Sequence, residues 1–138
     1  MAKKKPKMWM YVSPKPPKIS PSAEAKAEVQ RKADELIETI LKPRHVKRPP
    51  KKPRFNYIIE ISSKWHGPYF YFVSTYASPS PTAISPTFES RFARLQYVGG
   101  KRLNLAFMRY TGRWIEVLSG RTLDECLMSI QDGGWFEP

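Results

Sequence analysis

Few side chains in this sequence have the chemistry of a catalytic residue, and they are widely separated. There are two histidines, His45 and His66, and one cysteine, Cys126. A Cys/His nucleophile pair needs both groups in one pocket, with a third group that orients the base. Cys126 instead lies beside apolar residues at helical spacing, which is typical of a buried structural thiol. We therefore predict no catalytic residue; an enzyme would have to use His66, Cys126 or Glu116.

Metal-binding and phosphate-cradling motifs are also missing from the sequence. It has no cysteine pair, no histidine pair at helical spacing and no H-x-E element, so a zinc site lacks its ligands. Gly99-Gly100-Lys101-Arg102 has glycines next to a lysine, but not at the spacing of a P-loop, and a hairpin turn explains them better. We predict no metal and no cofactor.

Arginines that alternate with aromatic residues give the best chemical signal in the C-terminal half. Four of them lie on neighbouring predicted strands: Arg94, Arg102, Arg109 and Arg113. The aromatic residues among them are Tyr97, Tyr110 and Trp114. Such a surface can stack the bases of a single strand and contact its phosphates. In the alternative interpretation, the aromatic rings are core and the arginines are ordinary solvated side chains.

The net charge of +12 over 138 residues is unevenly distributed. Residues 1–54 hold 16 Lys and Arg against 5 Asp and Glu, a net charge of +11, whereas residues 55–138 have a net charge of +1. The second part also holds 16 of the 18 aromatic residues. A strong positive charge favours an anionic partner and does not determine a fold. The sequence thus predicts a basic arm joined to a nearly neutral body.

The arm carries its positive charge in two runs that contain no acid. The lysines and arginines that we predict to bind nucleic acid there are Lys3, Lys4, Lys5, Lys7, Lys42, Arg44, Lys47, Arg48, Lys51, Lys52 and Arg54. Side chains of this type neutralise phosphates, and the resulting affinity falls steeply with salt. No zinc finger, helix-turn-helix, RRM or KH signature accompanies them. The binding that they predict is therefore independent of nucleotide sequence.

An apolar cluster, Met8-Trp9-Met10-Tyr11, interrupts the first basic run. Exposed Trp and Met side chains contribute nothing to an isolated tail, but they suit a short motif that docks in a groove. Trp9, Met10 and Tyr11 are accordingly predicted to bind a partner, and docking on the protein's own sheet is an equal alternative.

The first structural element is a helix over residues 22–41. Ser20 is expected to cap it with Pro21 at the first helical position, and Pro43 to end it. Residues 1–21, rich in lysine and proline, are predicted to be disordered. Residues 42–54 form an extended basic linker in which four prolines oppose helix formation.

Residues 55–118 predict five antiparallel strands. In the first strand, Tyr57, Ile59 and Ile61 are expected on one face, by alternation. A three-residue loop at 99–101 pairs Leu95 with Leu105 and keeps one face apolar, whereas a two-residue loop would mix the faces. A hairpin around Thr111-Gly112 then sets Leu105 opposite Leu118.

The same hairpin would place Met108 opposite Ile115. Arg109 then lies across from Trp114, as a cation–π pair.

The chain is predicted to end in a short helix within residues 119–138. Thr122 and Glu125 form a T-x-x-E capping box, and Trp135-Phe136 should fold back onto the body. The predicted fold class is α+β: an N-terminal helix, a five-stranded antiparallel β-meander and a short C-terminal helix, preceded by a disordered basic tail. Residues 22–138 form a single domain.

Several segments together resemble a group of small bacterial proteins known as domains of unknown function. They are Phe92-Ala93-Arg94-Leu95 with Tyr97, Met108-Arg109-Tyr110-Thr111-Gly112-Arg113-Trp114, and Leu123-Asp124-Glu125 with Leu127. The helix, basic linker and Phe-Asn-Tyr strand at 36–57 also occupy the same places. The resemblance covers residues 29–138 and implies a compact single domain of bacterial, cytoplasmic origin. It implies no activity.

These features favour a small non-enzymatic accessory protein that binds RNA, DNA or another anionic macromolecule. The alternative is a protein-interaction module that docks through the Trp9 cluster and loop 78–87. No apolar run is long enough to span a membrane and no signal peptide precedes the body, so no membrane partner is expected. A single cysteine suits a reducing compartment, and we expect a cytoplasmic protein. The sequence leaves the oligomeric state open.

Overall fold

The secondary structure follows the predicted order of a helix, five strands and a helix. A computed structural model describes residues 19–49, 51 and 54–138. Its elements are α1 (Ala23–Leu36), a π turn (Ile37–Leu41), α2 (Lys42–His45), β1 (Tyr57–His66), β2 (Tyr69–Ala77), β3 (Thr87–Gly99), β4 (Arg102–Met108), β5 (Trp114–Arg121), α3 (Leu123–Asp132) and a 3-10 turn (Gly134–Phe136). Residues 1–18 of the predicted tail lie outside the described residues.

Helix α1 begins two residues later than its sequence signals suggest. Ser22, not Ser20, is the N-cap, and its hydroxyl accepts a hydrogen bond of 3.1 Å from the Ala25 N–H. This bond satisfies one of the free N–H groups of the first turn. Val29, Ala33 and Leu36 recur at helical spacing and are buried, so they form the side of α1 that faces the core.

The helix does not end before Pro43, as predicted, but continues to His45. A π turn at Ile37–Leu41 precedes the proline, and in it the Lys42 N–H bonds to the Ile37 carbonyl. The π turn places Pro43 in the first turn of α2, where a missing N–H leaves no hydrogen bond unmade. The prediction that residues 42–54 have no helical option is therefore wrong for residues 42–45.

The five strands form one antiparallel sheet in the order β1-β2-β3-β4-β5, which confirms the predicted meander. Helices α1 and α3 pack on one of its faces. Between the sheet and the helices lies the core, which contains Phe70, Phe72, Leu95 and Leu105 with less than 1% of their surface exposed. The α+β class follows from an apolar sheet face covered by two amphipathic helices.

The predicted register of β3 and β4 is confirmed along the apolar face. Leu95 pairs with Leu105, and the neighbouring pairs are those expected. The turn differs, because Val98 bulges out and Gly99, not Val98, pairs with Arg102. Gly100 and Lys101 then form a two-residue loop with φ of 60° each. The bulge lets the tighter loop keep the apolar face intact.

The second hairpin is only partly as predicted. Leu105 does pair with Leu118, but an irregularity at Val117 shifts the rest of the register by one residue. Met108 consequently faces Trp114 instead of Ile115, and Arg109 lies beyond the end of the strand pair. The predicted Arg109–Trp114 pair is therefore wrong.

An irregularity in β1 changes which face of the sheet its first residues occupy. The pairing with β2 shifts between Ile58 and Glu60. Ile58 therefore packs against the core together with the buried Ile61, while Ile59 is 38% exposed. The expectation that Ile59 shares a face with Ile61 is wrong, because a bulge adds one residue to a pattern of period two.

The C-terminal segment is as expected. Both hydrogen bonds of the Thr122–Glu125 capping box are present. After α3 the chain turns back at Gly133, and the Trp135 ring stacks on Phe107 with ring centres 5.0 Å apart. Phe136 is buried in the core, so the end of the chain covers the sheet near the β4–β5 turn.

Candidate nucleic-acid interface

The sheet face away from α1 and α3, here called the open face, has a different character from the core face. Within the described part of the chain, no helix packs on it. Tyr71, Val73 and Ala106 are nevertheless buried there, outside the core cluster. Among the described residues, long side chains of the sheet contribute to this cover, as Arg91 does over Tyr71.

A bulge in β3 determines which arginines reach the open face. Phe72 pairs with Ala93, but the next residue, Val73, pairs with Arg91, so Phe92 is an extra residue on β3. Phe92 joins the core with Ala93. Arg91 and Arg94 are three positions apart, and regular alternation would place them on opposite faces. The bulge brings both onto the open face.

Both guanidinium groups lie over aromatic rings. The Arg91 Cζ is 4.3 Å from the centre of the Tyr71 ring. The Arg94 Cζ is 4.5 Å from the Tyr69 ring centre and 4.9 Å from that of Trp114. We call these five residues the arginine–aromatic cluster. Each cation–π contact contributes about 0.5–2 kcal/mol, according to its exposure.

The tyrosine and tryptophan rings of the cluster also contact one another. The Tyr71 ring centre is 5.7 Å from that of Trp114 and 6.1 Å from that of Tyr69. Offset ring pairs of this kind prefer centre distances of about 4.5–7 Å. The rings therefore form a fixed floor on which the arginines lie, and two long side chains are held in defined positions.

No carboxylate neutralises these two arginines within the described residues. The ion pair nearest in sequence joins Lys64 to Glu89, with 3.1 Å between Nζ and Oε1. Arg91 is exposed and Arg94 is half-buried. Within the described residues, the contacts that the structure records for both guanidinium groups are to aromatic rings, and each group carries five N–H donors. The cluster therefore places two positively charged groups on the open face.

The structure separates the four arginines predicted from the sequence. Arg94 belongs to the cluster, and Arg102 is exposed at the start of β4. Arg109 and Arg113 lie at the β4–β5 turn, where the Arg109 N–H donates to the Arg113 carbonyl at 2.8 Å. The Arg109 guanidinium lies 5.6 Å from the Tyr110 ring centre. Arg91, the residue that completes the cluster, was not among those predicted.

In the basic linker, three described side chains make intramolecular hydrogen bonds, and one of these runs from the Lys47 Nζ to the Pro43 carbonyl at 3.4 Å. Lys42 bonds Glu38 at 2.7 Å and Glu60 at 3.0 Å, and these hydrogen bonds raise its pKa. Arg44 donates to the Gln131 carbonyl at 2.6 Å. Lys47 is nevertheless exposed, as are Arg48, Lys51 and Arg54.

The points at which the two basic segments join the described body lie at opposite ends of the sheet. The Ile19 side chain lies beside the β3–β4 turn, where a Cβ added to Gly99 would be 3.3 Å from its Cδ1 atom. The linker instead enters β1 at Tyr57, which pairs with Ala77 at the far end of β2.

Part of the prediction falls on residues that the structure does not describe. The residues concerned are Lys3, Lys4, Lys5, Lys7, Trp9, Met10, Tyr11 and Lys52. Their predicted roles in binding nucleic acid or a partner lie outside the described residues and stay predictions.

The groups considered for catalysis do not meet. Cys126 is fully buried in the core, and burial raises the pKa of its thiol to about 11. His66 lies at the end of β1 opposite Tyr69, on the open face. Burial lowers the pKa of His45. Glu116 accepts a hydrogen bond of 2.9 Å from Ser119.

The described residues contain neither a group of metal ligands nor a membrane-spanning helix. Across residues 19–49, 51 and 54–138, no three His, Cys, Asp or Glu side chains are grouped so that they could hold a metal ion. In the same part of the chain, no helix is long and apolar enough to cross a membrane.

Comparison with known proteins gives a family and no activity. Residues 20–138 match a family model described as "Domain of unknown function (DUF3024)". No curated protein and no solved structure matches the chain.

Proposed function

The chain belongs to the family described as domain of unknown function DUF3024, and we propose that it is an accessory protein that binds RNA or DNA. The family match confirms the predicted resemblance to a domain family of unknown function. The proposal is carried by one observation: Arg91 and Arg94 lie side by side on aromatic rings, with no carboxylate partner within the described residues. Binding is largely independent of nucleotide sequence, because its contacts are to phosphate.

Arginine is suited to this role by the shape of its side chain. The planar guanidinium offers a fork of N–H donors that matches two phosphate oxygens, and it keeps its charge at any physiological pH. Tyr71 and the rings around Arg94 hold the two forks in place before a ligand arrives. Less side-chain entropy is then lost on binding.

The basic segments add affinity that depends on charge alone. Lys47, Arg48, Lys51 and Arg54 are exposed next to the sheet, and the first 18 residues contain six more lysines. Residue 19 lies beside the β3–β4 turn and the linker joins β1 at the other end of the sheet, so one bound strand is proposed to contact both segments. Each phosphate contact releases counterions, which makes the total affinity strongly dependent on salt.

The direct test uses the full-length protein and labelled mixed-sequence RNA and DNA oligonucleotides of 20 nucleotides. Fluorescence anisotropy is measured between 50 and 300 mM NaCl. We expect the logarithm of the association constant to fall linearly with the logarithm of the salt concentration. Removal of residues 1–18 should weaken it and flatten the slope, while the described body stays intact. If none of the oligonucleotides shows salt-dependent binding, the proposal is wrong.

A protein-interaction module is the second candidate, and one observation favours it. The loop between β2 and β3 projects from the sheet, closed at its base by a 2.8 Å hydrogen bond from the Ser78 N–H to the Pro86 carbonyl. Ile84, within this loop, is fully exposed, and such a residue suits a partner groove. A protein that co-purifies after nuclease treatment, and is lost in Trp9→Ala, would support this candidate.

A further inference from the structure

A notch opens where β4 ends before its neighbour. β3 and β4 pair from Ala93 and Phe107 towards their common turn. β4 stops at Met108, whereas β3 extends back to Thr87. Over residues 87–92, β3 therefore pairs with β2 but with no described strand on its other side. The backbone of β3 is accessible there to a ligand.

The C-terminal segment and the β4–β5 turn form the walls of this notch. Pro138 is held in place by a 2.7 Å hydrogen bond from the Tyr76 hydroxyl to its carbonyl. Trp135 and Pro138 of the C-terminal segment and Tyr110 of the β4–β5 turn line an open cleft of about 670 Å³. This volume falls within the range of about 300–1,000 Å³ that is common for small-ligand pockets. We call the cleft the hairpin notch.

Two aromatic rings in the hairpin notch each have a free face. Trp135 stacks on Phe107 with one face, at an interplanar angle of 19°, yet 69% of the residue is exposed. Tyr110 is 92% exposed. An indole that is packed on one side and open on the other is a ready stacking surface for a planar ring.

The charged side chains that line the hairpin notch are two arginines and two carboxylates, which sum to zero. Arg91 and Arg109 line it, and Arg91 also belongs to the arginine–aromatic cluster. Two carboxylates lie there as well, but Glu89 is paired with Lys64. Glu137 is the other one. Arg91 therefore connects the phosphate-binding surface directly to the aromatic cleft.

We infer that the ligand is a single strand, and that one of its unstacked bases enters the hairpin notch and stacks on Trp135. This inference rests on the proposed function and specifies its ligand. Arg91 and Arg109 hold the phosphates next to that base. In a duplex the bases are paired and stacked, so a base can reach Trp135 only after it has been unpaired, which costs free energy.

The test compares a labelled 15-nucleotide single strand with the duplex of the same sequence, in the full-length protein at 100 mM NaCl. The single strand should bind about tenfold more tightly. Trp135→Ala should remove about tenfold of the single-strand affinity and leave duplex binding unchanged, while Trp135→Phe should retain most of it. Met128→Ala, which removes another exposed apolar side chain on α3, is the matched control.

The outcomes separate this inference from the proposed function. Equal binding of single strand and duplex, or a Trp135→Ala protein with unchanged preference, would overturn the inference and leave nucleic-acid binding standing. No binding of either ligand would overturn both. If Trp135→Ala melts at a much lower temperature, Tyr110→Ala serves as the second variant, since its ring is almost fully exposed. It should also reduce the single-strand preference.

Discussion

The guanidinium of Arg94 lies 4.9 Å from the centre of the Trp114 ring, although the two residues belong to β3 and β5. The β4 residue paired with Arg94 is Ala106. Ala106 is buried on the open face, and its methyl group leaves room for the two long side chains to meet above β4. A small residue on the middle strand thus allows a contact across two strand spacings.

We expect Trp114→Leu to weaken nucleic-acid binding about threefold. The change removes a cation–π contact worth about 0.5–1 kcal/mol at an exposed site and leaves Arg94 free to move. Trp65→Leu, which alters a half-buried tryptophan on the core face, is the control and should bind like wild type. Anisotropy titrations well below the melting temperature would measure both. Equal affinities for the two variants would contradict the role of Trp114.

The Cys126 thiol should be inert in the native protein. Burial raises its pKa to about 11, so very little thiolate exists at pH 8 and no reagent reaches it. Ellman's reagent should find no reactive thiol in native protein and one thiol in 6 M guanidinium. Rapid reaction of the native thiol would show that the α3 side of the core opens.

Glu125 should stabilise the protein through its charge. Hydrogen bonds from the Thr122 N–H and hydroxyl lower its pKa. A carboxyl group whose pKa is lower in the folded protein than in the unfolded chain stabilises the fold at pH values above its unfolded-state pKa. This stabilisation is lost as the pH falls through the folded-state pKa. Glu125→Gln should therefore have a lower urea midpoint than wild type at pH 7. The difference should shrink below pH 4.5; a difference independent of pH would contradict this account.

Lys101→Gly should stabilise the protein by about 0.5–1 kcal/mol. Lys101 has a φ of 60°, which costs an L-residue about 1–2 kcal/mol, and glycine escapes this cost while it loses more backbone entropy on folding. Lys101→Ala keeps the unfavourable φ and should bring no gain. Chemical denaturation measures both variants. If both variants change the free energy of unfolding equally, the cause is the loss of the lysine charge and not the backbone conformation.

The sequence predicts those parts of the fold in which side-chain periodicity and pairing agree. Leu95 opposite Leu105 follows from requiring one continuous apolar face on β3 and β4. The capping box at Thr122 and Glu125 follows from their spacing and their hydroxyl and carboxylate groups. Both are local patterns that tertiary packing reinforces.

Bulges explain most of what the sequence does not predict. An extra residue at Val117 moves Trp114 by one position, and Arg94 takes the place that Arg109 was expected to have. An extra residue at Phe92 puts Arg91 on the same face as Arg94. Nothing in the local composition marks either site. The R-F-A-R spacing suggests the Arg91–Arg94 pair only if a bulge is assumed between the two arginines.

The end of the first helix shows a different difficulty. Proline normally predicts a helix end, but here the π turn at Ile37–Leu41 changes the hydrogen-bond pattern just before Pro43. Buried Ile37 and Leu41 hold that turn against the sheet. Tertiary packing therefore overrides a reliable local signal.

The most direct measurement compares the salt dependence of single-strand binding in two double variants of equal charge. Arg91→Gln/Arg94→Gln removes the guanidinium pair of the open face. Arg31→Gln/Arg121→Gln removes two exposed arginines, from α1 and from the end of β5. The open-face variant should bind about tenfold more weakly at 100 mM NaCl.

Its plot of log K against log salt should be less steep by about 1.4, because each phosphate contact to a single strand contributes about 0.7. The control variant should keep a slope near that of wild type. Identical slopes and affinities for the two variants would contradict the central claim that Arg91 and Arg94 bind phosphate.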